Sequence, residues 1–184
     1  MTIRCSLALC LRNAADGRAL ERGDIRARIG GEEARARYHS GGYWSFTGLE
    51  LGVCIIELVG TGYKPETLKV KIPKVGFETR LVYLVPASGL PEGETLTLNG
   101  RDYFIPANGA TLRVAQDSAN AGESAVRVYP KGGVDLPCTF IIGEVENIEV
   151  CTVEELSGGI ATLSEPLKYT HSRGGLFRRA AVGG

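Results

Sequence analysis

The chain lacks an excess of either charge: 21 Lys and Arg residues stand against 21 Asp and Glu. A neutral chain has no general attraction to nucleic acid or an anionic bilayer, so neither is expected as a partner and any charged contact must be local. No run of about eighteen apolar residues occurs, the length a spanning helix needs, so no membrane insertion is expected. The opening segment MTIRCSLALCLRNAADG is interrupted by arginine around a very short apolar run. It lacks the unbroken apolar core of a signal peptide, and synthesis in the cytoplasm is the expectation. Histidine is scarce, with only His39 and His171. The five cysteines, Cys5, Cys10, Cys54, Cys138 and Cys151, are odd in number and show no Cys-Xaa-Xaa-Cys spacing. That disfavours a disulfide framework and a zinc knuckle, and the five read as small buried hydrophobes. Cys5 and Cys10 would point to opposite faces of one extended strand and could not pair.

Helical periodicity is nearly absent, and so is any internal repeat. What is present is glycine, 25 residues of it, punctuating short alternating segments in a chain that is 43% hydrophobic. That is the pattern of an all-β protein with real cores. Ser6 to Arg12 places Leu7, Leu9 and Leu11 on one face, and Asn13-Ala14-Ala15-Asp16-Gly17 ends the strand. Asp24 to Gly30 points Ile25, Ala27 and Ile29 inward; after Gly30-Gly31, Glu33 to His39 does the same with Ala34, Ala36 and Tyr38. These two segments are expected to pair as a hairpin. Tyr43 to Thr47 and Val53 to Gly60 follow, the latter apolar enough to be covered on one face and partly shielded on the other. Thr67 to Ile72 turns Leu68, Val70 and Ile72 inward, with Thr67, Lys69 and Lys71 outward, and Phe77 to Val85 completes seven strands. Seven short strands at this spacing predict a two-sheet sandwich.

Residues 87–94, rich in Pro, Gly and Ser, separate a first domain, 1–86, from a second, 95–184. The second opens on a tight hairpin, Thr95 to Leu98 and Asp102 to Ile105, around an Asn99-Gly100 turn of type I′ composition. Further strands are predicted at Thr111 to Val114, Ala125 to Tyr129, Thr139 to Ile142, Ile148 to Val153 and Ile160 to Leu163. The predicted fold is all-β: a seven-stranded sandwich followed by a small β-barrel-like domain.

Residues 4–85 resemble the carboxypeptidase regulatory-like, or prealbumin-like, β-sandwiches. The resemblance rests on a first strand ending in Asp16-Gly17, on Gly42-Tyr43-Trp44-Ser45-Phe46, on Gly48-Leu49 before Gly52, on the strand Cys54 to Val59 and on Gly62-Tyr63-Lys64-Pro65. It implies an appended folding, docking or ligand-binding module. The hydroxyisourate hydrolases of that fold depend on several histidines, an arginine and a Tyr-Arg-Gly-Ser-type tail. This chain has two histidines and ends Ala180-Ala181-Val182-Gly183-Gly184, which removes the hydrolase reading. The second half resembles a small all-β module of bacteriophage and prophage tail, baseplate and surface proteins. The matching pieces run in order: Ala110-Thr111-Leu112, Ser124 to Val128, Ile142-Gly143, Glu146 to Val150, Gly159 to Leu163, and Pro166-Leu167 followed by His171 and Gly174. Beyond that glycine the module's apolar end is only partly present, as Leu176-Phe177 before Arg178-Arg179.

No residue set announces a reaction. His171 has Tyr169, Ser172 and Arg173 around it and Glu165 near in sequence; it is read as a residue that caps a turn, with a hydrolase using His171 as the weaker alternative. Asp16, Glu21 and Asp24, like Asp135 and Glu144, lack calcium-loop spacing and read as turn carboxylates. The glycine pairs lack the Lys-Ser/Thr of a phosphate cradle, and no metal or cofactor is expected. One surface stands out: Arg26, Arg28, Arg35 and Arg37 would share the outer face of the predicted hairpin, where they could meet an acidic partner or an anionic glycan, or simply solubilise beside Glu32 and Glu33. The expected function is a non-enzymatic structural or binding component of a phage- or prophage-type tail, baseplate or surface assembly, a homo-oligomer contacting other assembly proteins. A stand-alone module for a carbohydrate or another surface ligand is the alternative.

Overall fold

A computed structural model describes residues 5–131 and 133–182. The fold is all-β, without an α-helix among the described residues. The chain divides into two units, one ending at Leu90 and the other beginning at Pro91.

The first unit holds β1 (Cys5–Asn13), β2 (Arg26–Ile29), β3 (Glu32–Glu33), β4 (Ala36–His39), β5 (Tyr43–Thr47), β6 (Gly52–Gly60), β7 (Tyr63–Ile72) and β8 (Glu78–Leu84). They form two four-stranded sheets, in the orders β4-β5-β1-β8 and β3-β2-β6-β7. Alternation along each strand sends one apolar row into a common cluster. Leu7, Leu9 and Leu11 of β1, Trp44 and Phe46 of β5, and Val82 and Leu84 of β8 meet Ala27, Ile56, Leu58, Val70 and Ile72 of the other sheet. Tyr38 meets the Trp44 ring edge-on at 5.5 Å. Pro65 is tolerated inside β7 because β7 is an edge strand, where a missing N–H breaks no ladder.

Glu33 to His39 is not one strand paired with β2. Only Glu32 and Glu33 pair there, opposite Ile29 and Arg28, and Ala36 to His39 then joins the other sheet beside β5. Alternation reports which face of a segment is buried, and Ala34, Ala36 and Tyr38 pack on the core in this arrangement too. Eight strands therefore stand where seven were expected.

Two glycines have packing reasons. A Cβ on Gly60 would lie 2.1 Å from the Asp24 carbonyl oxygen, and one on Gly42 would lie 2.6 Å from that of Leu11. Beside Gly42, the fully buried Arg12 donates from Nη1 to the Gly41 carbonyl at 2.8 Å. The Gly41-Gly42 turn is therefore built to meet β1.

The second unit holds β9 (Gly93–Leu98), β10 (Arg101–Pro106), β11 (Thr111–Val114), β12 (Ser118–Ala119), β13 (Ala125–Lys131), β14 (Cys138–Ile142), β15 (Glu149–Ser157), β16 (Ile160–Leu163), β17 (His171–Ser172) and β18 (Leu176–Val182). Six of them, in the order β11-β13-β16-β15-β14-β18, close into a barrel through the pairing of β18 with β11. The barrel-like expectation for this half is met, and closure leaves those strands no free edge. Its interior takes Leu112, Val114, Val126, Val128, Phe140, Ile142, Val153 and Phe177, with the Phe140 and Phe177 rings edge-on at 6.4 Å. β14 is buried along its whole length because Ile141 faces a second cluster with Tyr103, Ile105 and Ala180 under the β9–β10 hairpin. Asn99 and Gly100 both have positive φ, 52° and 74°, as a type I′ turn requires.

Candidate functional site

The outer face of the β3-β2-β6-β7 sheet is assembled by register. Arg26 lies opposite Val59 and Arg28 opposite Glu57 on β6; Val53 and Ile55 lie opposite Lys71 and Lys69 on β7. Side chains directly opposite in an antiparallel pair share a face. Ile56 and Leu58 fill the core, so Val53, Ile55 and Glu57 point the other way. Val53 is 61% exposed and Ile55 56%. β6 was expected to be partly shielded on this side, and within the described chain its two aliphatic side chains are open. Leu51, before β6, and Val75 and Phe77, after β7, add exposed apolar groups at the end where Gly52 pairs with Ile72.

The face is also cationic. Lys71 and Lys69 lie opposite the aliphatic pair, and Arg28 and Arg26 continue the same face beside Glu57 and Val59 of β6, with Glu33 opposite Arg28 on β3. The ion pairs among the described residues include Arg80–Glu78, His171–Glu149, Arg173–Asp117 and Arg178–Glu94, and none of these engages those four cations. Covering Val53 and Ile55 with apolar surface would stabilise a contact by on the order of 1–2 kcal/mol each. The cations would select an acidic rim.

Of the four arginines singled out by alternation, Arg26 and Arg28 lie on this face. Arg37 belongs to β4 in the other sheet, opposite Ser45, and Arg35 falls between β3 and β4. The hairpin that would have placed all four together is replaced by the sheet switch at Ala34-Arg35. Lys69 and Lys71, outward by alternation, become the neighbours of Ile55 and Val53 only through the β6–β7 register.

In the second unit His171 is 2% exposed, and its partner is Glu149, with Nε2 and Oε1 at 2.8 Å. Glu165, near in sequence, is not that partner. Glu149 also accepts the backbone N–H of Lys168 at 2.8 Å and of Tyr169 at 3.0 Å. Burial and the nearby Glu149 push the Cys151 thiol well up, so it is a poor nucleophile. A cleft of about 880 Å3 lies alongside, lined by residues that include Glu144, Val145, Asn147, His171, Ser172 and Arg178. His39 is exposed, with Nε2 at 2.8 Å from Ser45 Oγ.

The acidic residues around Asp24 serve the backbone: Asp24 accepts the N–H of Glu21 at 2.7 Å and Asp16 that of Arg18 at 2.9 Å. Among the described residues no group of three or more His, Cys, Asp or Glu is placed to hold a metal ion, and no helix is long and apolar enough to cross a membrane. No protein-family model, curated protein or solved structure matches the chain.

Proposed function

We propose that this protein is a non-enzymatic assembly component that works through protein–protein contacts, of the kind used in phage- or prophage-type tails, baseplates and surface structures. One observation carries the reading: the exposed Val53 and Ile55 of β6, with Lys71 and Lys69 opposite them and Arg28 and Arg26 further along the same face, none of the four in an ion pair among the described residues. A β-branched pair open on a sheet face, with cations beside it, has the chemistry of an interface centre and its rim. The first unit's two sheets around one core support the prealbumin-like docking module that its sequence resembles, and the closed barrel supports the phage-type module.

A structural role for His171 is favoured over catalysis. Its Nε2 is committed to Glu149, whose oxygens also hold two backbone amides, so the pair fastens the 168–171 segment to the start of β15. The free thiols of all five cysteines support synthesis in a reducing compartment.

Light scattering across a concentration series tests the reading. The wild-type protein should form a defined oligomer, and Val53→Ser combined with Ile55→Ser should dissociate it without altering the far-UV spectrum. A strict monomer at high concentration would overturn the proposal.

A further inference from the structure

The assembly reading leaves open what covers the β6–β7 face, and the inference below rests on that reading. We propose that the occupant is a second copy of this chain, which seats its Glu144-Val145-Glu146 turn on Val53 and Ile55. The contact runs head to tail.

Charge excludes the simplest self-contact. A two-fold axis through this face would lay it on the same face of another copy, setting Arg26, Arg28, Lys69 and Lys71 against their duplicates with only Glu33 and Glu57 of each copy to offset them. A like-charge approach of that kind costs more than the aliphatic contact returns. Because the whole chain balances 21 basic against 21 acidic residues, the cationic excess here is matched by acidic surface elsewhere. A copy can therefore complement another copy through a different part of itself.

The Glu144–Glu146 turn has the complementary chemistry. Val145 is 89% exposed and lies between two glutamates, neither of which enters an ion pair among the described residues. The apolar knob with an acidic residue on each side answers an apolar strip with a basic residue opposite each member. The turn is also held in shape before any contact. The side-chain oxygen of Asn147 accepts the Glu144 N–H at 3.0 Å, and the Asn147 N–H donates to the Glu144 carbonyl at 3.2 Å. Gly143 has a φ of 93°, and a Cβ there would lie 2.3 Å from the Asn147 carbonyl oxygen. Val145 itself sits at a φ of 44°, an unfavourable region for a β-branched residue. Such strain persists where the surroundings over-determine it. A rigid knob loses little entropy on docking.

A contact between two different patches closes as a reciprocal pair, each copy's turn on the other's face, or it propagates. Propagation yields a ring if the rotation closes and a filament if it does not.

Analytical ultracentrifugation of the full chain and its charge-reversed variants tests this. Lys69→Glu with Lys71→Glu should leave only monomer, as should Glu144→Lys with Glu146→Lys. An equimolar mixture of the two variants should associate again, as even-membered or open species in which the two alternate, because each then offers the other an opposite charge at both contacts. Val145→Gly should weaken association while the fold is kept or stabilised, since glycine accepts the positive φ. If the wild type associates but the reversed variants associate equally well, the proposed contact is wrong and the assembly reading stands. If the variants dissociate and the mixture does not recover, the face binds something other than this turn. A monomeric wild type removes both proposals.

Discussion

Replacing Glu149 by alanine should unfasten the second unit at one point, because that carboxylate is the shared acceptor of three donors. Glu149 is 6% exposed at the start of β15; Oε2 accepts the Lys168 N–H at 2.8 Å, while Oε1 accepts the Tyr169 N–H at 3.0 Å and bonds His171 Nε2 at 2.8 Å. A buried donor left without an acceptor costs about 1–3 kcal/mol. The three bonds form one network, so their losses overlap, and the expected total for Glu149→Ala is about 3–5 kcal/mol. Glu149→Gln keeps the shape and one acceptor oxygen. With that oxygen in the Oε1 place, Tyr169 and His171 are served and the amide NH2 opposes the Lys168 N–H, for a loss of about 1–3 kcal/mol. Urea unfolding followed by circular dichroism measures the difference, with a separate transition fitted for each unit where two resolve. Amide exchange at Lys168 and Tyr169 reads the bonds directly, and both should lose protection in the alanine variant. The reasoning fails if Glu149→Ala stays within about 1 kcal/mol of wild type with those amides still protected. It fails also if glutamine is as costly as alanine, since that would make charge, and not the number of acceptors, the operative property.

Gly60→Ala should destabilise the first unit by about 1–3 kcal/mol or more, because overpacking forces a shift and the obstacle is the Asp24 carbonyl; an unchanged melting temperature would refute that close approach. Phe140→Ala, at a fully buried site against Phe177, should cost about 3–5 kcal/mol in denaturant unfolding, and a loss below about 1 kcal/mol would contradict a packed barrel interior. Hydrogen bonds from Asn120 Nδ2 and Gln116 Nε2, each 2.8 Å, hold the Glu123 carboxyl below the usual glutamate range, Asn120 contributing most. Its folded pKa is then below its unfolded one, so its contribution is present above the unfolded value and fades as pH falls through the folded value. Titration by NMR should find that depression, and a value at or above the usual range would remove the two bonds from the solution structure.

Alternation and turn chemistry are local, and what they report was legible. Val70 and Ile72 are buried, Lys69 and Lys71 are exposed, and Asn99-Gly100 makes the turn its residue types favour. The barrel's closing strand was the hardest to see. β18 reads Leu-Phe-Arg-Arg-Ala-Ala-Val, and the two arginines mask an element in which Phe177, Arg179, Ala180 and Ala181 are all buried. Nothing in a linear pattern announces an arginine that goes inward, since the apolar count drops just where the strand is central.

The sheet partner of a strand is a second kind of information, and alternation does not contain it. Ala34, Ala36 and Tyr38 pack against the core whichever sheet receives them, so the hairpin drawn through Glu33 to His39 satisfied every local rule while pairing with the wrong neighbour. The candidate site inherits that difference. Arg28 lies opposite Glu57 because β2 and β6 are adjacent, a pairing of residues far apart in the chain, and Ile55 lies opposite Lys69 through the register of the β6–β7 hairpin. The apolar character of Val53 and Ile55 was visible, but a strand apolar on both faces reads as one covered on one face and partly shielded on the other. The single chain covers only one. The discrepancy between a sequence written for burial and a face left open is what points to a covering partner, and it could be recognised only after the core side of β6 had been assigned to Ile56 and Leu58.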